Sequence, residues 1–301
     1  MEFPIAGVTV NPFLLAGIGF LVGILGGFFG VGGGFIAGPF MFWAGVPMNF
    51  VVGTDLAHMT GKSIVASKRH RALGHVDVKL GMLMVLGTIV GVEVGAQIIE
   101  GLENSGRVDI IIGVTYVVIL LLISAFTAWE SLRALRMIRT DQMDVKDAVG
   151  IKGLSERVHG FKLWPMISLP ASGITSISLW TILGVGFITG VLSGSLGVGG
   201  GFIRMPLLVY VMGLPTHVAI GTDLFEIVFS SAYGTLTHAL KGNVDILMAL
   251  VMQTGAAVGA QIGATSTRFF AGPKIRLFFS ALPIIGAVMV LIELLTKMSV
   301  H

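Results

Sequence analysis

GVGGGFI at residues 30–36 returns letter for letter at 197–203, and each copy sits within a stretch that otherwise reads as apolar helix. Four glycines in five positions (Gly30, Gly32, Gly33, Gly34) cannot share one helix face, and each costs a helix interior about 1 kcal/mol relative to alanine. Pro39 and Pro206 follow at the same distance from each run and remove one more amide donor apiece. The chain is therefore expected to unwind at both places.

The surroundings set the fold class. Hydrophobic residues make up 54% of the 301 and charged residues only 12%, with a mean hydropathy of +0.92. A soluble domain carries about 25% charge. Runs such as 109–129 and 277–295 approach the ~20 residues that cross a bilayer. The composition predicts an all-α polytopic membrane protein whose first partner is the lipid bilayer. The chain has no cysteine, which excludes disulfides, thiolate metal sites and iron–sulfur clusters. Net charge is only +3, with basic residues near segment ends, a topology signal rather than a nucleic-acid footprint. The opening MEFPIAGVTVNPFLLAG has neither a basic n-region nor a small-residue cleavage site, so no cleavable signal is expected.

The glycine runs belong to a longer duplication. At an offset of 167, Gly19, Gly23, Gly30, Gly32, Gly33, Gly34, Phe35, Ile36 and Pro39 recur as Gly186, Gly190, Gly197, Gly199, Gly200, Gly201, Phe202, Ile203 and Pro206. At 168, Thr54, Asp55, His70, Gly74 and Asp77 recur as Thr222, Asp223, His238, Gly242 and Asp245. Between the copies, residues 130–162 hold 12 of the 35 charged residues. This divides the chain into a first transmembrane repeat (1–129), a charged cytoplasmic linker (130–174) and a second repeat (175–301). Each repeat has five apolar pieces, and the second piece (35–46 and 202–213) is short. A dozen residues reach only ~18 Å, so it is expected to be a re-entrant or half-length helix. Lysine and arginine are dense at 68–71 and sparse at 240–243, yet sparse at 101–107 and present at 268–276. With the linker in the cytoplasm, that swap is expected of repeats inverted across the membrane; parallel repeats with eight crossings are the alternative.

Glycines at four-residue spacing (Gly87, Gly91, Gly95; Gly255, Gly259, Gly263) read as close helix packing. The two runs read differently, because unwound backbone at membrane depth must be buried in protein or line a cavity. A half-helix N-terminus with free amides favours an anion. Paired breaks in equivalent positions point to a transporter's substrate site, although a purely structural hinge would also need glycine. Nucleotide motifs fail: Phe35 and Phe202 stand where G-x-G-x-x-G needs glycine, and Leu56 where a Walker A ending at 61–63 needs it.

Ionisable residues inside apolar segments are functional candidates. Asp55, His58 and Lys62 share one helix face, as do Asp223, Glu226 and Ser230. Asp55 and Asp223 read either as coupling groups or as N-caps of the third piece. Arg204 replaces Ala37 in the second run and suits oxyanion recognition, or else snorkels or pairs with Glu226. Glu93 reads as a proton carrier or a partner of Lys62. His70 and His238 read as cap-and-turn residues.

The paired G-x-G-G-G-F-[IL]…P runs, each trailed by GTDL and then by GHVD or GNVD, resemble the sulfite exporter (TauE/SafE) family of membrane permeases. The resemblance spans the chain apart from 130–170. It implies proton-linked secondary transport of a small sulfur-containing or organic anion, such as sulfite or sulfoacetate, across the bacterial inner membrane. The expected substrate site is Gly32, Gly33, Gly34, Gly199, Gly200, Gly201, Arg204, Thr54 and Thr222. The expected coupling groups are Asp55, Asp223, Glu226, His58 and Glu93. No cofactor or metal is expected, and a homodimer stays open. An uncoupled anion channel or gated pore is the alternative function. An enzyme is disfavoured, for H-E-x-x-H and G-x-S-x-G are missing, and Leu192 breaks the elbow pattern around Ser193.

Overall fold

The computed structural model describes residues 1–103, 108–140, 152–196 and 200–299. The first half opens with a small hairpin, β1 (Glu2–Phe3) and β2 (Val8–Thr9). Five helices follow: α1 (Pro12–Phe29), α2 (Gly34–Trp43), α3 (Met48–Ala72), α4 (Val78–Glu103) and α5 (Val108–Arg139). A short helix α6 (Lys152–Gly160) leads to a second hairpin, β3 (Met166–Leu169) and β4 (Ile174–Ser178). The second half then repeats the order: α7 (Leu179–Leu196), α8 (Gly201–Pro206) running into a π-helical turn at Leu207–Val211, α9 (Thr216–Leu240), α10 (Ile246–Ser266) and α11 (Gly272–Ser299).

Local chemistry sets several of these starts. Asn11 caps α1, its side chain accepting from the Phe13 amide at 2.9 Å, with Pro12 at the first helical position. Asp77 and Asp245 do the same for α4 and α10, accepting from Leu80 and Met248 at 3.0 Å each. The other oxygen of each carboxylate is held by a hairpin: Ser172 donates to Asp77 at 2.7 Å, and the Ala6 amide to Asp245 at 3.1 Å.

Among the described residues, five helices are long and apolar enough to cross a membrane: Pro12–Phe29, Val78–Gly95, Val117–Arg139, Ile246–Phe269 and Gly272–Met289. Their outward faces are mostly apolar, as in the α4 stripe Met82, Leu86 and Val90, which ends at the exposed Glu93. The charged residues Asp55, Lys62, Arg204, Asp223 and Glu226 lie buried inside. Charge within and oil without is a distribution that lipid tolerates and water does not. The chain is a multi-pass membrane protein.

Small residues fix how the helices meet. A Cβ at Gly23 or Gly27 on α1 would stand 2.6 or 2.5 Å from the carbonyl oxygens of Ala256 and Ala260 on α10. On α7, Gly186 lies against Met84 of α4, and Gly190 against Thr88. These contacts are reciprocal: α1 of the first half packs on α10 of the second, and α7 of the second packs on α4 of the first. In both pairs the partner numbers rise together, so the helices run parallel.

Counterpart helices cross the other way. Along α3 and α9, Gly53 meets His238, Leu56 meets Gly234, and Thr60 bonds Ser231. Along α5 and α11, Ser124 bonds Ser280 while Glu130 bonds Arg276. Numbers rise on one helix as they fall on the other, so both pairs are antiparallel. A two-fold axis lying across the helices accounts for all four pairings.

Two points of the sequence reading gain detail. The charged stretch from 130 begins as helix: α5 runs on to Arg139, and Glu130 is buried with its carboxylate on the Arg276 guanidinium at 3.2 Å. Asp55 and Asp223 are not N-caps, because α3 and α9 start at Met48 and Thr216, more than a turn earlier.

Candidate functional site

The first glycine run breaks the chain as its composition requires. α1 stops at Phe29 and α2 starts at Gly34; between them Gly30, Gly32 and Gly33 take φ of 80°, 67° and 77°. Left-handed backbone at three of four residues is accessible to glycine and strained for other L-residues. In the second run Gly200 has φ 62° and α8 begins at Gly201; Gly199 lies outside the described residues.

The two breaks touch. A Cβ at Gly201 would stand 2.9 Å from the Val31 carbonyl, and one at Gly30 would stand 2.8 Å from Ile220 of α9. Gly32 abuts Met59 of α3 and, at 3.2 Å, Ile227 of α9. Met59 and Ile227 lie near the midpoints of 25-residue helices, so the breaks meet at mid-depth. α2 has 10 residues, about 15 Å at 1.5 Å per residue, and fits the half-length helix expected of the second piece.

Each break has a cation beside the same glycine of the repeat. A Cβ at Gly33 would lie 3.3 Å from Lys62 Nζ; one at its counterpart Gly200 would lie 3.6 Å from Arg204 Nη2. The two cations arrive by different routes, Lys62 from α3 and Arg204 from α8, and their surroundings differ. Arg204 Nη1 donates to Asp223 Oδ1 at 2.9 Å and also to Glu226 Oε2, while Nε donates to Thr189 Oγ1 at 3.2 Å. All three charged side chains are fully buried. Pairing with Glu226, one of the roles the sequence leaves to Arg204, is thus present. Arg204 Nη2, Asp223 Oδ2 and Glu226 Oε1 keep no hydrogen-bond partner. Lys62 is buried too, and its Nζ has none among the described residues.

The remaining candidates fall into three groups. Asp55 and His58 meet through Oδ1 and Nδ1 at 3.2 Å, one turn before Lys62, leaving His58 Nε2 buried and unbonded. Thr54 and Thr222 brace one half against the other, accepting from the amides of Asp245 at 3.0 Å and Asp77 at 2.9 Å. Glu93 is exposed on the outward stripe of α4, where Gln97 donates to it at 3.2 Å. It stands apart from Lys62.

His70 lies in the last turn of α3, and its Nε2 donates to the carbonyl of Gly27 at 2.9 Å. That carbonyl is in the last turn of α1, where helical donors run out, so His70 seals the broken end. His75, in the α3–α4 connection, stacks near His217 with ring centroids 5.1 Å apart. Burial, aided by His217, pushes its pKa down to about 4.

The sequence puts Lys62 on one helix face with Asp55 and His58, and nothing local in it connects Lys62 to the first glycine run. The available signal was asymmetry: Lys62 and Arg204 are charges that their counterparts, Ser230 and Ala37, do not carry.

Comparison with known proteins agrees with this architecture. A family model described as sulfite exporter TauE/SafE matches residues 15–290. The probable membrane transporter protein YunE of Bacillus subtilis is 26% identical over 266 residues, covering 85% of this chain and 88% of its own length. A probable membrane transporter protein of Methanocaldococcus jannaschii is 25% identical over 294 residues, covering 92% and 95%. Sulfite exporter TauE/SafE family protein 3 of Arabidopsis thaliana is 28% identical over 124 residues, covering 40% of this chain and 26% of its own. No solved structure matches.

Proposed function

The chain belongs to the sulfite exporter TauE/SafE family, and from that premise we propose that it is a proton-coupled secondary transporter for a small sulfur-containing or organic anion, such as sulfite or sulfoacetate, in the bacterial inner membrane. The observation that carries this reading is the meeting of the unwound stretch at 30–33 with the start of α8 at Gly200 and Gly201, each with a buried cation beside it. Free amides at a half-helix N-terminus and a cation in a water-poor setting favour a negative ligand. In this reading the backbone of Gly32, Gly33, Gly34, Gly200 and Gly201 lines the space the anion enters. Thr54 and Thr222 hold the halves in register around it, and Arg204 closes the second break.

Coupling rests on the buried carboxylates. Asp55 with His58, and Asp223 with Glu226, are paired titratable groups, and a proton taken up there offsets the charge of an anion in transit. Glu93 has no part in this scheme, because it faces outward.

The test is flux in proteoliposomes, with labelled sulfite set against sulfate, thiosulfate and sulfonates, with and without a pH gradient. Saturable uptake accelerated by the gradient supports the reading. Conductance without saturation makes the protein an anion channel, and no flux of any of these anions overturns the assignment.

A further inference from the structure

We propose that Lys62 is the cationic anchor of a single oxyanion site at the N-terminus of α2, so that the two halves, alike in backbone, bind anion unequally. The inference rests on the transporter reading above and adds to it which half, and which side chain, takes the ligand.

Three observations converge on that point. Gly33 is the residue at which α2 begins to wind, with φ 77°; the Ile36 and Ala37 amides turn back to its carbonyl, and those of Gly34 and Phe35 have no acceptor within the helix. Lys62 Nζ stands 3.3 Å from where a Gly33 side chain would begin, so the ammonium is aimed at this helix start. Lys62 is 1% exposed, and its Nζ meets no acceptor among the described residues. A buried ammonium without a partner is costly unless something negative joins it. Asp55, on the same face, gives its Oδ1 to His58 instead. His58 Nε2, one turn from Lys62 on that face, is a further unsatisfied buried polar atom.

The second half shows the contrasting case. Its cation, Arg204, already has the carboxylates of Asp223 and Glu226 on one guanidinium nitrogen, so this cluster has no surplus positive charge to offer. An oxyanion head such as sulfite, a sulfonate or a carboxylate would complete the first site and crowd the second.

The test compares sulfite binding to purified full-length protein with binding to the variants Lys62→Gln, Lys62→Arg and Lys79→Gln. Lys79 lies on the surface, bonded to the Ser168 carbonyl, and serves as the control. Lys62→Gln is expected to bind at least about tenfold more weakly, the loss of one charge-assisted hydrogen bond, while Lys62→Arg retains most of the affinity and Lys79→Gln all of it. Unchanged affinity in Lys62→Gln overturns the proposal. Should that variant fail to fold, selenite located by its anomalous signal in crystals of the unaltered protein decides. A peak beside Lys62 supports the assignment, and a peak beside Arg204 or elsewhere refutes it. If the unaltered protein neither binds nor transports any of these anions, the transporter reading itself fails, an outcome distinct from equal binding by Lys62→Gln.

Discussion

Arg204 is the residue on which the second glycine break depends most. Its guanidinium sits between Asp223 and Glu226 with no exposed surface, so removing it strands two carboxylates in a medium that cannot solvate them. Arg204→Met is expected to destabilise the protein by about 3–5 kcal/mol, read as a lower melting temperature in detergent. Adding Asp223→Asn and Glu226→Gln removes the stranded charge and should restore most of the loss. A single variant as stable as the parent would contradict the buried pairing. His75 makes a smaller and opposite demand. Its pKa of about 4 lies below the ordinary value of about 6.5, so the folded state holds its proton more weakly than the unfolded chain. The stability tied to this group is complete above about pH 6.5 and drains away as pH falls towards 4. His75 is half-buried, so solvent screening limits its share to about 1 kcal/mol or less. The second half has Asn243 at this position. His75→Asn should therefore shrink the fall in melting temperature between pH 6.5 and 4; an unchanged fall would exclude His75 as its source.

At the scale of elements, glycines of equal appearance do different jobs. Gly17 and Gly23 both lie on α1, but a Cβ at Gly17 meets nothing within 4 Å while one at Gly23 runs into Ala256. Gly17→Ala should be neutral or gain up to about 1 kcal/mol in helix propensity. Gly23→Leu should wedge α1 from α10 and lower the yield of folded protein, measured by size-exclusion profile and melting temperature. Equal behaviour of the two would mean that α1 and α10 do not meet as described. The break between α1 and α2 was legible because consecutive glycines followed by a proline are a local signal. So were the short second piece and the reciprocal glycine ladders, which repeat at fixed spacing. The extension of α5 past 129 was not, since Glu130 reads as the start of a polar segment until Arg276, 146 positions away, is brought against it. Thr54 and Thr222 were placed at the ligand on local grounds, yet their bonds run to amides 191 and 145 residues distant. Lys62 lies 29 residues beyond Gly33, and its approach to the break depends on how α3 returns past α1. No window of sequence contains that.

Over the whole molecule, helix directions and basic residues give one consistent orientation. The α3–α9 and α5–α11 pairs are antiparallel, so the C-terminal ends of α3 and α9 lie at opposite ends of the bundle. The end of α3 carries Lys68, Arg69 and Arg71, and the end of α5 carries Arg133, Arg136 and Arg139; both are expected in the cytoplasm. α1 and α10 then run inward together, α4 and α7 run outward together, and the start of α7 lies on the side where α5 ends. The two hairpins share this logic: β1–β2 holds Asp245 at one end, and β3–β4 holds Asp77 at the other through Ser172, which joins the two strands. Because the chain contains no cysteine, single cysteines can report this arrangement without background. Ala72 and Leu240 occupy equivalent positions at the ends of α3 and α9, and both are exposed. In intact cells a membrane-impermeant maleimide should label Leu240→Cys and spare Ala72→Cys until the membrane is opened. Labelling of both from the same side would require parallel repeats, and α3 and α9 could not then cross antiparallel in the membrane. Labelling from opposite sides places the two glycine breaks head to head across the midplane, where either could face one compartment while the other is closed.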